Sequence, residues 1–243
     1  MRNPVAEVRA FLRASLVEPV PSAASAETPG QLRRRRWVAG AFGVVGAAAL
    51  GWTLQLQPGD RLFEPASFAV AAIWTIGALA SGRLRLGRAN TRTGVGQSRA
   101  VVQSLALGAL LLAIFLAGAL AVAGVPVLRD PVQNLLDHAR YGSLALVAVA
   151  TAVNGIAEEL YFRGALFAAL PRRLAVTGTA ALYTLTAVPT LIPLLVFAAA
   201  VLGSVVGLQR RVTGGVLGPI VTHLTWSLGM LFLLPYALGI GWG

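Results

Sequence analysis

The sequence predicts an all-α protein of the membrane, a polytopic bundle of about eight transmembrane helices of unequal length. The 243 residues are 56% hydrophobic and only 12% charged, whereas about a quarter of the residues in soluble proteins are charged. A membrane span must be helical, because its backbone finds no water in the hydrocarbon, and it needs roughly 20 mostly apolar residues. A series of apolar runs separated by arginines meets that requirement.

These apolar runs place the helices in order along the chain. We expect a first helix at residues 37–57, a shorter second helix at 68–81 and a clear third helix at 100–125. Residues 126–140 are more polar and are predicted to form a loop that carries a surface helix. The remaining predicted helices cover residues 143–170, 174–188, 189–209, 214–226 and 227–239, and the last two pieces are compatible with one bent helix or with two.

The pattern divides the chain into three parts. Residues 1–36 contain scattered charges and a stretch rich in Pro, Ala and Ser, and they are predicted to be a cytoplasmic, partly disordered tail. An arginine-rich tail beside a membrane can bind anionic lipid headgroups. Residues 37–142 are predicted to hold the N-terminal membrane helices, and residues 143–243 the helices that carry the candidate site.

Charge predicts how these helices are oriented. All twenty basic residues are arginines, and the formal net charge is +11. They separate apolar runs and form no basic patch interleaved with aromatic residues, which argues against a nucleic-acid partner. Alternating the spans from a cytoplasmic N terminus places seventeen arginines inside and three outside, namely Arg61, Arg129 and Arg140. This asymmetry follows the positive-inside rule.

Two features of composition bear on the cellular location and on the kinds of cross-link and metal site that are possible. The exclusive use of arginine is typical of a GC-rich bacterial genome, so we expect a multi-pass protein of the bacterial inner (plasma) membrane. The chain has no cysteine, which excludes disulfides and thiolate metal sites.

The adjacent pair Glu158 and Glu159 contains the only acids inside a predicted span. A carboxylate there costs roughly 2.5–3.5 kcal/mol on insertion scales. Arg163 follows Glu159 by four residues and can neutralise it on the same helix face. Glu158 lies about 100° further round the helix, on the same face as Asn154, and has no cationic partner in its own helix. Glu158 is therefore a candidate general base, unless both acids form a hydrated, arginine-paired patch at the membrane surface.

His223 is the only histidine inside an apolar segment, and Ser227 follows it one turn later on the same face. Such a pair can donate to a developing oxyanion, ligate a metal, or simply hydrogen-bond to a neighbouring helix, which is the commonest role of a lone membrane histidine. His138 is expected at the opposite surface, because twenty residues of helix would place it about 30 Å from Glu158.

The order of these residues resembles the CPBP family, which comprises the CAAX prenyl protease type II and bacteriocin-processing intramembrane proteases and is also called the Abi family. The first motif of that family, Glu-Glu-x-x-x-Arg, is represented by Glu158, Glu159 and Arg163. The resemblance extends from about Ala145 to Leu234. It identifies residues 143–243 as helices of a CPBP-like catalytic core.

Two positions depart from the family pattern. The second motif, Phe-x-x-x-His, is best matched by Tyr183 and Ala187, so alanine stands where the family has histidine. The third motif, His-x-x-x-Asn, begins at His223 and ends in Ser227. The threonines Thr184, Thr186 and Thr190 lie near the second motif and could hold a water, but none of them is a base at neutral pH.

The resemblance implies an intramembrane endopeptidase that cleaves a membrane-associated or lipidated peptide near the cytoplasmic face. Carried over, Glu158 would be the base that activates water, Glu159 and Arg163 would position it, and His223 with Ser227 would stabilise the oxyanion. The family also implies a divalent metal such as zinc. Glu158 and His223 would supply two ligands, whereas a catalytic zinc usually has three protein ligands.

Two other functions stay open. The chain could be a catalytically inactive relative that binds a peptide or a partner protein as an immunity or scaffold component, a hypothesis motivated by Ala187 and Ser227. It could also be a small transporter with the acidic pair as a proton or cation site, although we find no internal repeat of the kind such transporters show. The partners expected from the sequence are membrane lipids and a membrane-associated or lipidated peptide.

Overall fold

The computed structural model describes residues 4–21, 27–90 and 96–241. Within these residues it contains nine helices and one short hairpin, which confirms the predicted all-α class. The helices are Pro4–Leu16 (α1), Pro29–Thr53 (α2), Phe63–Ser81 (α3), Val101–Val122 (α4), Pro126–Tyr141 (α5), Leu144–Ala169 (α6), Ala175–Ala187 (α7), Pro193–Thr213 (α8) and Leu217–Ala237 (α9). The strands Ala89–Asn90 (β1) and Gln97–Ser98 (β2) pair in antiparallel orientation.

Five of the described helices, α3, α4, α6, α8 and α9, are long and apolar enough to cross a membrane. Two more, α2 and α7, also run between the ends of the bundle, but the first third of α2 contains the block of four arginines at 33–36, and α7 has only 13 residues. The predicted count of eight is approximate, because the two short pieces expected after residue 213 form the single helix α9. The predicted surface helix after residue 125 is α5.

Hydrogen bonds between loops define one end of the bundle, which we call the arginine-rich end. The turn between α8 and α9 is bound there by segments from the first half of the chain: Arg88 N donates to Thr213 O at 2.9 Å and Val216 N donates to Arg85 O at 2.8 Å. The backbones cross so closely that a Cβ on Gly215 would lie 2.0 Å from the amide nitrogen of Gly87. Only glycine fits such an approach.

The other end of the bundle, which we call the opposite end, is tied together in the same way. The Gln55 side chain donates to the carbonyl of Pro189 at 2.8 Å. Arg140 Nη2 donates to the carbonyls of Ile240 and Gly241 at 3.0 and 2.7 Å. The loops after α2, α7 and α9 therefore lie at the same end as α5, as the alternation of spans predicts.

The described part of the N-terminal tail is more ordered than its composition indicates. Residues 4–16 form α1, and the Thr28 hydroxyl caps α2 by accepting from Gln31 N at 3.3 Å. The buried guanidinium of Arg35 donates to the carboxylate of Glu27 and to Ser81 Oγ, the latter at 3.2 Å. The hydrogen bonds that Glu27 accepts from Arg35 lower the pKa of its carboxyl group. Residues 1–3 and 22–26 of the predicted tail lie outside the described residues.

His138 lies at the opposite end, where it lines two cavities of about 510 and 250 Å³. Its ring is buried and stacks on Phe63, with ring centroids 3.7 Å apart and planes 10° from parallel. Burial lowers the pKa of His138, against the opposing effect of nearby carboxylates, first among them Glu64. The imidazole is therefore kept neutral in the folded protein.

This burial predicts a loss of stability in mild acid. A histidine whose pKa is lowered by folding binds protons more readily when unfolded, so its contribution is present above the unfolded pKa of about 6.5 and is lost as pH falls through the folded pKa. We expect the unfolding temperature in detergent to fall between about pH 7 and pH 5, and to fall less in His138→Phe, which keeps the stacking on Phe63. Equal pH dependence in both proteins would contradict this role of His138.

Candidate active site

A π-helical segment interrupts α6 at the predicted acidic pair. The helix is α-helical over Leu144–Glu158, π-helical over Glu159–Leu166 and α-helical again over Phe167–Ala169. Such segments have i→i+5 hydrogen bonds and occur frequently at functional sites. The Arg210 side chain of α8 donates to the carbonyl of Arg163 inside the segment at 2.7 Å. Neither the π segment nor this contact was predicted from the sequence.

Glu159 connects two other predicted site residues, Arg163 and His223. Its Oε1 accepts from Arg163 Nη1 at 3.0 Å and lies 2.8 Å from His223 Nδ1, and both Glu159 and Arg163 are fully buried. Arg163 also donates to the carbonyl of Gly203 at 3.2 Å. Because these residues belong to α6, α8 and α9, one buried ion pair holds the three helices in register.

This arrangement determines which nitrogen of His223 carries the proton. A carboxylate paired with arginine is ionised and can only accept, so Nδ1 must be the donor to Glu159. In the neutral ring Nε2 then has a lone pair. It lies on the side of Gly155, where a Cβ would be 3.8 Å away. His223 can therefore accept at Nε2 when neutral, and can donate to an oxyanion from Nε2 only as an imidazolium.

Glu158 has a different environment from its neighbour. It is half-buried, and no described residue forms an ion pair with it. The hydroxyl of Tyr183 on α7 donates to its Oε2 at 2.6 Å. Asn154, which shares its helix face, bonds elsewhere: its Nδ2 donates to the carbonyls of Ser67 and Ala150, both at 3.0 Å. The structure thus separates a fully buried, ion-paired acid from a half-buried acid that has no ion-pair partner among the described residues.

Tyr183 is the contact that sequence reasoning missed. The sequence places it one turn before Ala187 on α7 but contains nothing that aims its hydroxyl at Glu158, 25 residues earlier. Ala187 itself is 5% exposed and apolar. The hydroxyls of Thr184, Thr186 and Thr190 all donate to carbonyls of their own segment, at 2.7 to 2.9 Å.

Ser227, the fifth predicted site residue, is not drawn into this network. Its Oγ is buried and has no hydrogen-bond partner among the described residues. A buried hydroxyl without a partner costs free energy.

The side chains do not fit a zinc site. Among the described residues, no three or more His, Cys, Asp or Glu side chains converge as metal ligands. Glu159 Oε1 already binds Arg163 and His223, which leaves the predicted ligands Glu158 and His223 short of the usual three. The described residues therefore contain no ligand set that supports the predicted metal.

The part of the sequence that forms this site matches a known protein family. Residues 140–229 match the model of the family described as type II CAAX prenyl endopeptidase Rce1-like. This segment is related to the type II CAAX prenyl endopeptidases. The predicted resemblance is confirmed, over less than half of the chain. No curated protein and no solved structure matches the sequence.

The segment related to the CAAX endopeptidases holds all five predicted site residues together with Tyr183 and Ala187. With the five membrane-compatible helices, it makes the chain a multi-pass membrane protein of CAAX-protease-like kind. The cavities at the opposite end have no lining residue from the acidic pair or from His223.

Proposed function

We propose that the protein is an intramembrane endopeptidase that cleaves a membrane-associated or lipidated peptide near the cytoplasmic face, using water activated by Glu158. The observation that carries this proposal is the contrast between the two adjacent acids. Glu159 is neutralised by Arg163 and bonded to His223, whereas the hydrogen-bond partner of Glu158 among the described residues is the Tyr183 hydroxyl. Two carboxylates in different environments are the usual basis for different acid–base roles.

The proposed reaction uses the chain's own residues. Glu158 takes a proton from a water molecule, and the resulting hydroxide attacks the scissile carbonyl to give a tetrahedral intermediate. Ser227 donates a hydrogen bond to the oxyanion, and His223 donates a second one when its ring is protonated. Protonated Glu158 then returns its proton to the leaving amine as the C–N bond breaks. Glu159 and Arg163 act by orienting His223.

The acidic pair lies on the arginine-rich side of the middle of α6, which supports cleavage nearer that membrane face. Glu159 lies ten residues before the end of α6 at Ala169 and fifteen residues after its start at Leu144. Positive charge favours the cytoplasmic side, so we place the arginine-rich end there. The N terminus is then cytoplasmic, in a bacterial inner membrane whose anionic lipids are natural partners of the tail.

A catalytically inactive relative that binds a peptide or a partner protein is the second candidate. Ala187 favours this candidate, because its buried apolar side chain occupies the position at which the family that the sequence resembles has a histidine. Under this hypothesis the segment that carries Glu158 binds a peptide or a partner protein but does not cleave it.

The experiment that separates the two candidates compares membranes from cells that make either the wild type or Glu158→Ala. Mass spectrometry of protein termini should reveal new termini that depend on Glu158. Equal membrane levels and equal gel-filtration profiles of the two proteins serve as the control for folding. Identical termini in both samples would reject the endopeptidase and favour the binding relative, whose partners can then be sought by crosslinking.

A further inference from the structure

The hydrogen bond between Tyr183 and Glu158 joins α7 to α6 at the accessible acid of the pair. The phenol oxygen lies 2.6 Å from Glu158 Oε2. A neutral tyrosine has one O–H to donate, and it keeps that proton at neutral pH. The phenol therefore occupies one carboxylate oxygen, and Oε1 is the oxygen left to hold a water.

The tyrosine ring is itself fixed by its surroundings. The guanidinium carbon of Arg163 lies 4.6 Å from the ring centroid, and the ring of Phe162 meets it edge to face at 4.8 Å. Gly203 closes the third side, since a Cβ there would lie 3.2 Å from Tyr183 Cδ1. Tyr183 thus presents its hydroxyl from a rigid position, and Arg163 links that position to the buried ion pair.

We propose that Tyr183 is a positioning residue for the reaction: it fixes the Glu158 carboxylate so that Oε1 faces the attacking water. This inference rests on the proposed endopeptidase function. Glu158 is a long, half-buried side chain on α6, and without a partner it would sample several rotamers. Holding a catalytic group within a fraction of an ångström of its productive geometry is a large part of catalysis, and displacement by about 1 Å can cost about 100-fold.

The chain supplies a matched control in Tyr161. Its hydroxyl is also buried and donates to a backbone carbonyl, that of Ala39 on α2. Its ring packs on Trp74, with centroids 4.6 Å apart, and none of its hydrogen bonds reaches Glu158. Tyr161→Phe removes the same atom from the same residue type as Tyr183→Phe. The hydrogen bond that it deletes joins α6 to α2 and leaves Glu158 untouched.

The test measures cleavage of a peptide found in the membrane-terminus experiment, with purified wild type, Tyr183→Phe and Tyr161→Phe in liposomes. We expect Tyr183→Phe to lower kcat by about 10- to 100-fold with KM changed less than about twofold. Tyr161→Phe should keep the wild-type kcat and lower the unfolding temperature. Replacement of Tyr183 by 4-aminophenylalanine, which retains a neutral donor, should restore most of kcat.

The outcomes separate this inference from the function on which it rests. Glu158-dependent cleavage that is unchanged in Tyr183→Phe would overturn the positioning role alone. An equal loss of kcat in both phenylalanine variants, or no rescue by the amino-substituted ring, would also overturn it, because the effect would then be structural. Wild-type protein that cleaves no peptide in a Glu158-dependent way would overturn both proposals.

Discussion

Glu158→Gln should lower kcat by about 100- to 10 000-fold and leave the unfolding temperature close to that of the wild type. The substitution keeps the size of the side chain and its ability to accept from Tyr183, but an amide cannot take a proton from water. A general base typically contributes a factor of about 10² to 10⁴. The measurement is peptide cleavage by purified protein in liposomes, with thermal unfolding in detergent as the second readout.

Glu159→Gln is the matched control for that prediction, and its effect should appear first in stability. The substitution leaves the fully buried Arg163 without a counter-charge. Breaking a buried ion pair by removing one partner typically costs about 3–5 kcal/mol. We therefore expect a large fall in unfolding temperature for Glu159→Gln and none for Glu158→Gln. The same change in kcat and in unfolding temperature in both variants would contradict the division of roles between the two acids.

Ala187→His should raise kcat by at least about tenfold. Residue 187 lies one turn after Tyr183 on the same face of α7, so an imidazole there would approach Glu158 and supply a second group that can take a proton from water. The assay is the same peptide cleavage in liposomes. The resemblance to the CAAX endopeptidases, whose motif has histidine at this position, gives the same expectation.

The control for this expected increase in kcat is Ala181→His, which places the same imidazole at an exposed position of the same helix. This variant should retain wild-type kcat. Equal rates in the wild type and in both variants, with intact gel-filtration profiles, would show that the alanine at position 187 is not what limits turnover.

The sequence predicts those parts of the fold that depend on local periodicity. The apolar runs locate the long helices within several residues, because each span must satisfy its own backbone. The ion pair of Glu159 with Arg163 follows from their spacing of four residues in one helix. The asymmetry of the arginines predicts which loops share an end, and the bond from Gln55 to Pro189 is consistent with that grouping.

The contacts of the site that depend on helix packing could not be predicted in the same way. His223 meets Glu159 across 64 residues of chain, and Tyr183 meets Glu158 across 25. Nothing in either local sequence specifies the rotation of one helix against another. The π segment changes that rotation within α6 itself, so a straight α-helical wheel misplaces the residues after Glu159.

The crossing of backbones at the turn between α8 and α9 has a consequence for modularity. The family-related segment at residues 140–229 ends inside α9. Residues from before the segment hold the preceding turn: Arg88 N donates to Thr213 O at the end of α8, and Arg85 O accepts from Val216 N just before α9 begins. Thr222, next to His223, also donates to the carbonyl of Ser104 on α4 at 3.2 Å. Loops and helices that carry no family signature therefore complete the geometry of this segment, and a transplanted segment would lack those contacts.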